Sequence, residues 1–320
     1  MTKVLYIAGW GRSGTTIVDN ILNAYKGVFS VGELVYLWTW GLQLGRRCGC
    51  GVALPECELW RAILRTAYGQ RPPPPPEVLA LQRQAIRLRA TPGLLRGRTS
   101  QAADAYRRLL EPLYPAIAEV TGADLIVDSS KSPAAAAMLD RLDCVESYIV
   151  HMVRDPRAVA HSWGRPTVQL DGPQPRLMRQ QSPMRSTARW LAWNYLSERV
   201  GARNPGRFRR LRYEDFVVRP RETVEDLLAV TGTSAADAPF LGEHTVVLPV
   251  NHTVSGNPGR FRSGELDIRP DDRWRRDGSR QHRAIATAVA LPLLNRYGYP
   301  VLDRHNRVDH ELRGMTRRPA

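Results

Sequence analysis

Residues 4–16 read VLYIAGWGRSGTT and contain the pattern that decides the fold. The apolar run 4–8 has the length of a strand, and 15–25 places apolar residues at helical spacing. The glycines of the intervening loop, 9–14, let backbone N–H groups face inward, and the following helix adds the positive end of its dipole. The stretch therefore predicts a strand, an anion-binding loop and a helix.

This loop departs at one position from the nucleotide-kinase pattern G-x-x-x-x-G-K-[ST]. Thr15 stands where that pattern has lysine, while Arg12 supplies a cation from within the loop. Without the lysine the loop is poorly suited to stabilise a γ-phosphate. A phosphate-bearing donor other than a magnesium triphosphate fits this arrangement, and a purely structural glycine turn is the alternative.

Apolar strands and helices alternate along the rest of the chain. Further strands are predicted at 28–31, 125–127, 147–153 and 208–213, and helices include 77–91, 101–121, 156–163, 184–201, 223–230 and 284–297. The alternation predicts a three-layer α/β fold of the P-loop type, with a mainly parallel central sheet and helical insertions. We expect a single domain over 1–303 with a helical insertion at 60–120, a loop at 164–185 that could act as a lid, and a loosely held tail at 304–320.

A second anion-binding segment follows the predicted strand 147–153. Arg154 stands at the end of that strand, and Ser162 comes eight residues later, about two helical turns on. An arginine fork together with a hydroxyl suits a phosphate group. The alternative is an Arg-Asp pair that caps a turn.

The composition favours an anionic partner. The 320 residues include 46 basic and 31 acidic side chains, a net charge of +15, and only three of the basic residues are lysines. Nucleic acid, an anionic membrane surface and a phosphorylated small molecule all satisfy this charge. There is no apolar run of membrane-spanning length. The N-terminal apolar run is too short for a secretory signal, so we expect a cytoplasmic protein.

The two anion-binding segments together resemble those of the sulfotransferases, which use 3′-phosphoadenosine 5′-phosphosulfate (PAPS). In that family the first loop holds the 5′-phosphosulfate, and the arginine and serine of the second segment hold the 3′-phosphate. The resemblance implies sulfuryl transfer with adenosine 3′,5′-bisphosphate as the product and with no metal requirement. It assigns donor binding to Gly11, Arg12, Ser13, Gly14, Thr15, Thr16, Arg154 and Ser162.

Two later segments extend the resemblance towards the C-terminus. The segment LRYEDF at 211–216 is similar to the family's Tyr-Glu-Asp segment, whose tyrosine, here Tyr213, lies near the nucleotide. The segment HTVSGNPGR at 252–260 resembles the closing segment of many bacterial members. It adds Gly256, Asn257 and Arg260 to the expected donor-binding residues. His252 and Ser255 could contact the sulfuryl group, the cofactor or neither.

The resemblance also implies catalytic roles. Glu33 resembles the catalytic base of the tyrosylprotein sulfotransferases, and Lys131 resembles the lysine that stabilises the transferring sulfuryl group in those enzymes. Arg12 would stabilise the same charge from the first loop. The alternatives are an exposed carboxylate at a strand end and a solvated loop lysine. The expected acceptor is a hydroxyl of a carbohydrate, a glycolipid or another small metabolite.

Three cysteines lie within ten positions, at Cys48, Cys50 and Cys57. Plain thiols, a disulfide and a metal site are all compatible with them. A fourth metal ligand is not expected nearby, because Cys144 is remote in sequence.

Aromatic residues follow Glu33 closely at Tyr36, Trp38, Trp40 and Trp60. They could line an acceptor pocket, since aromatic faces suit sugars and aryl groups, or they could pack in the core.

Two other functions fit parts of the sequence. A small-molecule P-loop kinase would use the first loop, but Thr15 replaces its lysine. A basic nucleic-acid-binding protein would explain the charge, but the sequence contains no nucleic-acid-binding motif. We therefore expect no nucleic acid partner. Peripheral contact with a membrane stays compatible with the charge, and the sequence does not indicate an oligomeric state.

Overall fold

The computed structural model of the chain describes residues 1–301. Its strands are β1 (Thr2–Ala8), β2 (Val28–Gly32), β3 (Leu125–Lys131), β4 (Val145–Val153), β5 (Val168–Gln169), β6 (Arg176–Leu177), β7 (Phe208–Arg212), β8 (Thr245–Leu248) and β9 (Gly264–Asp267). Its helices are α1 (Thr15–Leu22), α2 (Glu58–Tyr68), α3 (Pro75–Ala85), α4 (Thr91–Leu95), α5 (Gln101–Leu110), α6 (Leu113–Thr121), α7 (Pro133–Leu139), α8 (Pro156–Gly164), α9 (Pro183–Gly201), α10 (Tyr213–Val218), α11 (Pro220–Thr231), α12 (Arg273–Arg276) and α13 (Arg280–Leu294).

Five strands form the central sheet in the order β2-β3-β1-β4-β7. All four neighbouring pairs are parallel, and Leu5 of β1 pairs with Val127 on one side and Tyr148 on the other. The remaining strands form two short antiparallel pairs, β5-β6 and β8-β9. Parallel pairing places the carboxyl ends of all five central strands at one edge of the sheet, where α/β proteins bind ligands.

Both faces of the sheet are covered, as expected for a parallel sheet. Alternate residues of β1 point to opposite faces: Val4 and Tyr6 pack with residues of α2, α3, α5, α6 and α7, whereas Leu5 and Ile7 pack with residues of α1, α10 and α11. The sheet therefore lies between two helical layers. This confirms the predicted three-layer α/β fold with a parallel central sheet.

Two of the predicted elements differ from the structure in extent or continuity in a way that the local sequence explains. The predicted strand 208–213 stops at Arg212, and Tyr213 begins α10, since Glu214 and Asp215 are acidic residues in the first turn, where the helix dipole favours them. The predicted helix 101–121 is two helices, α5 and α6. Pro112 lies between them, and proline cannot continue a helix from its interior.

The predicted loop 164–185 contains the short hairpin β5-β6 and the start of α9. Helices α2 to α6 occupy 58–121, the region of the predicted insertion. The predicted tail, 304–320, lies outside the described residues. Within residues 1–301, no helix combines the length and the apolar composition that crossing a bilayer requires.

Candidate active site

Each strand of the central sheet ends next to a residue that the sequence singled out. In the order β1, β2, β3, β4 and β7, these residues are Arg12, Glu33, Lys131, Arg154 and Tyr213. Because β1 lies between β3 and β4, its loop occupies the middle of this edge. Five separate segments of the chain therefore bring charged or aromatic groups to one crevice.

The loop after β1 is a tight turn whose two ends require glycine. Gly9 has φ of 134°, and a Cβ there would lie 2.2 Å from the carbonyl oxygen of Met152. Gly14 has φ of 88°, and a Cβ there would lie 2.6 Å from Cδ2 of Tyr213. Helix α1 begins at the buried Thr15, and no side chain caps it. An anion can take the capping position at this helix start.

Trp163 of α8 covers the outer side of this loop. Its Nε1 donates a hydrogen bond to the carbonyl oxygen of Gly11 at 3.2 Å, and a Cβ on Gly11 would lie 3.1 Å from the indole. The guanidinium carbon of Arg12 lies 5.2 Å from the centre of the same ring system. This tryptophan lies at the end of the predicted helix 156–163, but no pattern in the sequence indicates its contact with the loop.

Arg12 brings a positive charge into a largely buried position in the loop. Burial lowers the pKa of Arg12, and the Glu33 carboxylate opposes that shift. Its Nη2 lies 3.2 Å from Sδ of Met178. The adjacent Ser13 is fully buried, and its hydroxyl has no hydrogen-bond partner within residues 1–301. A cation beside an unpartnered buried hydroxyl fits a phosphosulfate group.

Glu33 and Lys131 form an ion pair across the ends of β2 and β3. Lys131 Nζ lies 2.5 Å from Glu33 Oε1 and 3.1 Å from the carbonyl oxygen of Ser129. The two charged side chains are only 13% and 14% exposed. The structure therefore brings the two predicted catalytic groups together.

 Their positions differ by 98 in the sequence, so the contact depends on the parallel pairing of the sheet.

The backbone at both candidate catalytic cations is left-handed. Lys131 has φ of 67° and Arg12 has φ of 71°. Only one other non-glycine residue within 1–301, Asp237, has a positive φ. This conformation costs an L-residue about 1–2 kcal/mol. Strain of this kind concentrates at functional sites, where the surrounding structure maintains it.

A buried carboxylate holds the turn that presents Lys131. Asp128 accepts hydrogen bonds from the Tyr114 hydroxyl at 2.8 Å and from the backbone N–H and hydroxyl of Ser130 at 2.9 and 2.5 Å. The Ser130 hydroxyl oxygen in turn accepts from the N–H of Val35 at 3.0 Å. Burial raises the pKa of Asp128 to about 6. This network, which the sequence does not indicate, connects β3 to the chain just after Glu33.

A second buried carboxylate, Asp19 of α1, lies behind the ion pair. The hydroxyl of Ser30 donates a hydrogen bond to its Oδ1 at 2.6 Å. Burial raises the pKa of Asp19 to about 7, although Ser30 and Lys131 favour its charged form. The positive charge of Lys131 therefore favours ionisation of the Asp19 carboxyl group.

Arg154 lies against the first loop with its side chain only 8% exposed. Its Nη1 donates a hydrogen bond to the carbonyl oxygen of Arg12 at 3.2 Å. Its Nη2 forms an ion pair with Asp271 Oδ2 at 3.2 Å. Its guanidinium carbon lies 4.2 Å from the centre of the Tyr213 ring. Its Nε is buried without a partner within residues 1–301. Ser162 is half-buried on α8. Asp271 is a partner that sequence reasoning missed, because nothing in the spacing connects it to Arg154.

The segment 251–260, here called the closing segment, borders Glu33. The N–H of Val254 donates to the carbonyl oxygen of Val31 at 2.8 Å, and the N–H of Glu33 donates to the carbonyl oxygen of Ser255 at 3.1 Å. The Ser255 hydroxyl is buried without a partner within residues 1–301. These contacts place Ser255 next to the predicted base.

The end of the closing segment lies on the first turn of α1. The N–H of Asn257 donates to Thr16 Oγ1 at 3.4 Å, and Gly256 lies between Arg260 and Thr16. Arg260 is only 1% exposed, and its guanidinium donates to the carbonyl oxygens of Thr253 at 2.6 Å and of Arg47 at 2.5 Å. The two Nη groups of Arg260 thus hold the backbone of neighbouring segments, while its Nε is buried without a partner within residues 1–301.

The expectation that the three clustered cysteines lack a fourth ligand is wrong. A ring nitrogen of His252 and the Sγ atoms of Cys48, Cys50 and Cys57 all lie within 4.8 Å of one another. His252 follows them by 195 to 204 positions, so only the fold could bring it to them. Burial raises the pKa of the Cys48 thiol and lowers the pKa of His252.

The four aromatic residues after Glu33 divide into two pairs. Trp38 and Trp60 are 2% and 0% exposed and belong to the core. Tyr36 and Trp40 are half-buried and stack with their ring centres 3.8 Å apart. This second pair is the more accessible of the two to a ligand.

Comparison with known proteins gives one family match. Residues 5–237 match the model of a family described as "Sulfotransferase family". No curated protein matches the sequence.

Solved bacterial structures with low sequence identity are similar to this chain. The sulfotransferase domain of the olefin synthase from Synechococcus PCC 7002 has 19% identity and a TM-score of 0.49, covering 93% of this chain and 95% of its own. The sulfotransferase domain from the curacin biosynthetic pathway has 16% identity and a TM-score of 0.46, covering 98% of each chain. A sulfotransferase from Alicyclobacillus acidocaldarius has 15% identity and a TM-score of 0.38, covering 91% of this chain and 92% of its own.

Proposed function

The chain belongs to the sulfotransferase family, and from that premise we propose that it transfers a sulfuryl group from PAPS to an acceptor hydroxyl. The acceptor class is a carbohydrate, a glycolipid or another small metabolite. The observation that supports the proposal best is the Glu33–Lys131 ion pair, which lies at the carboxyl edge of the sheet where the first loop and its Arg12 begin.

In the proposed complex the first loop and α1 hold the 5′-phosphosulfate. The unpartnered Ser13 hydroxyl, the Arg12 guanidinium and the uncapped start of α1 provide donors on several sides of one anion. Arg154 and Ser162 hold the 3′-phosphate, and Tyr213 stacks against Arg154. Gly256 and Asn257 border the same loop through Thr16.

Glu33 is the proposed general base. It accepts the proton of the acceptor hydroxyl as the acceptor oxygen forms its bond to sulfur. The bond between sulfur and the bridging phosphate oxygen breaks, and adenosine 3′,5′-bisphosphate leaves with the electron pair. The ion pair orients the Glu33 carboxylate at the strand end before the acceptor arrives.

Lys131 and Arg12 are proposed to stabilise the charge that grows on the sulfuryl oxygens and on the leaving phosphate. Their backbone positions are held by the sheet and by the first loop, so little reorganisation is needed when the charge develops. The stacked Tyr36 and Trp40 are proposed to flank the acceptor, because Tyr36 is the last residue of the short turn that Glu33 caps.

A thermal-shift comparison tests the donor assignment. Adenosine 3′,5′-bisphosphate is expected to raise the Tm, and ATP with magnesium is expected to leave it unchanged. A ligand at a hundred times its Kd stabilises a protein by about 2.7 kcal/mol, which is readily measured. Stabilisation by ATP alone would contradict the proposal and favour a kinase.

The base assignment is tested by Glu33→Gln with labelled PAPS and the best acceptor from a panel of sugars, glycolipids and phenols. Turnover is expected to fall by about 10²–10⁴, the usual contribution of a general base, while bisphosphate binding is retained. Glu56→Gln is the matched control, because Glu56 is an exposed glutamate of the same region. Near-normal turnover of Glu33→Gln would contradict the assignment.

A further inference from the structure

A second cluster of reactive side chains lies beside the closing segment and has no part in the proposed transfer. It consists of the thiols of Cys48, Cys50 and Cys57 and the imidazole of His252, whose ligand atoms all lie within 4.8 Å of one another. We propose that these four side chains bind one Zn²⁺ ion in a closed structural site.

The distances fit a tetrahedron of ligands around zinc. Sulfur atoms at about 2.3 Å from zinc lie about 3.8 Å apart at the tetrahedral angle, and a sulfur and a nitrogen lie about 3.5 Å apart. The Sγ atoms of Cys50 and Cys57 are 3.9 Å apart. Nδ1 of His252 lies 3.3 Å from Sγ of Cys57 and 3.8 Å from Sγ of Cys48. The cysteines are free thiols, so all three sulfurs are available.

The backbone around Cys48 forms a tight turn that presents two of the ligands. The N–H of Cys48 donates to the carbonyl oxygen of Val52 at 2.8 Å, and the N–H of Gly51 donates to the carbonyl oxygen of Cys48 at 2.8 Å. Gly51 has φ of 96°, which closes the turn with little strain only in glycine. The turn fixes Cys48 and Cys50 on one side of the site.

The closing segment approaches this turn so closely that Gly49 is required between the two cysteines. A Cβ on Gly49 would lie 1.9 Å from Oδ1 of Asn251. The N–H of Gly49 donates to the carbonyl oxygen of Thr253 at 3.0 Å, and Nε1 of Trp60 donates to the carbonyl oxygen of His252 at 2.7 Å. Hydrogen bonds to the carbonyl oxygens of His252 and Thr253 therefore hold this backbone next to the thiols without a metal.

The charge of the surroundings suits the loaded site. Three thiolates and one Zn²⁺ ion carry a net charge of −1, which is costly to bury without a counter-charge. The buried guanidinium of Arg260 donates a hydrogen bond to the carbonyl oxygen of Arg47, the residue before Cys48, so its positive charge lies near the cluster. Four protein ligands leave no open coordination position, so the ion would have a structural role.

The site would connect the cysteine turn to the strand end that carries Glu33. His252 lies three residues before Ser255, whose carbonyl oxygen accepts from the N–H of Glu33. Zinc binding would thus hold the closing segment at His252, while Asn257 contacts α1 further along the same segment.

Metal analysis of the full chain tests the proposal. Protein expressed with added zinc and dialysed is expected to retain one zinc per chain, and Cys50→Ser and His252→Ala are each expected to lose at least nine-tenths of it. Cys144→Ser is the matched control and is expected to keep its zinc, because Cys144 lies outside the cluster. Wild-type protein without zinc, or zinc retained fully by both ligand variants, would overturn the proposal.

Cobalt substitution keeps the test decisive if the variants fail to fold. Wild-type protein loaded with Co²⁺ is expected to show the visible bands of a tetrahedral ion and thiolate-to-cobalt charge transfer. An octahedral spectrum would overturn the proposal. A thiol titration under denaturing, chelating conditions is expected to find all four cysteines reduced, and loss of two thiols would favour a Cys50–Cys57 disulfide instead.

Discussion

Two substitutions of Lys131 separate the charge of its side chain from the strain of its backbone. Lys131→Ala removes the ammonium and keeps a Cβ at a φ of 67°, whereas Lys131→Gly removes the ammonium and the strain together. Both variants lose the ion pair with Glu33 equally. Their difference in stability therefore isolates the backbone contribution.

The expected magnitudes follow from the structure. Removal of one preorganised donor to a developing charge lowers turnover by about 10²–10³, and we expect both variants to show this loss. The left-handed backbone costs a non-glycine residue about 1–2 kcal/mol, and glycine gives back about 0.4–1 kcal/mol through the entropy of the unfolded chain. The glycine variant is thus expected to be more stable than the alanine variant by about 0.5–1 kcal/mol, a Tm difference of about 1–2 °C in a chain of this length.

Turnover is measured with labelled PAPS, and Tm is measured by tryptophan fluorescence. Lys26→Ala is the matched control, because Lys26 is exposed and lies outside the crevice, and it should match the wild type in both measurements. Near-normal turnover of Lys131→Ala would refute the role of the cation. Equal Tm values for the alanine and glycine variants would refute the argument from backbone strain.

Three further predictions concern the donor site and its support. Arg154→Ala is expected to weaken binding of adenosine 3′,5′-bisphosphate at least tenfold in titration calorimetry, whereas the exposed Arg199→Ala leaves it unchanged; equal affinities would reject the 3′-phosphate assignment. Gly14→Ala is expected to cost about 1–3 kcal/mol of stability, since it adds a Cβ at positive φ against Tyr213, and an unchanged Tm would contradict this. Asp19 has a folded-state pKa raised to about 7, above its unfolded value, so its contribution to stability is present at low pH and declines as pH rises from about 4 to about 7. Asp19→Asn should flatten that part of the Tm–pH curve, and an unaltered curve would contradict the shift.

The sequence predicts most of the residues at the crevice, but it predicts them one segment at a time. The glycine loop and the arginine after β4 are local patterns, because a strand, a turn and a helix start are specified by neighbouring residues. Glu33 and Lys131 were assigned through a family resemblance, and no local pattern indicates that they form an ion pair. Asp271, Trp163 and the Asp128 network were missed, because their contacts join segments that are distant in the chain.

The cysteine cluster shows the same division more sharply. Three of its members lie together in the sequence, so the sequence shows their proximity, but it relates His252 only to the sulfuryl group, the cofactor or neither. Arg260 likewise fits the closing-segment pattern, yet its guanidinium bonds to the backbone of Thr253 and Arg47. A pattern names residue types, and it does not determine which neighbour a side chain reaches.

The sequence by itself determined the fold class, the anion-binding loop and the family, because hydrophobic periodicity, glycine placement and short motifs are local properties of the chain. Only the tertiary structure decided which of these segments meet. Parallel pairing in the order β2-β3-β1-β4-β7 brings five strand ends to one edge, and the closing segment joins that edge to the cysteine turn. Strand order and register depend on packing between distant residues, and a single sequence does not display that packing.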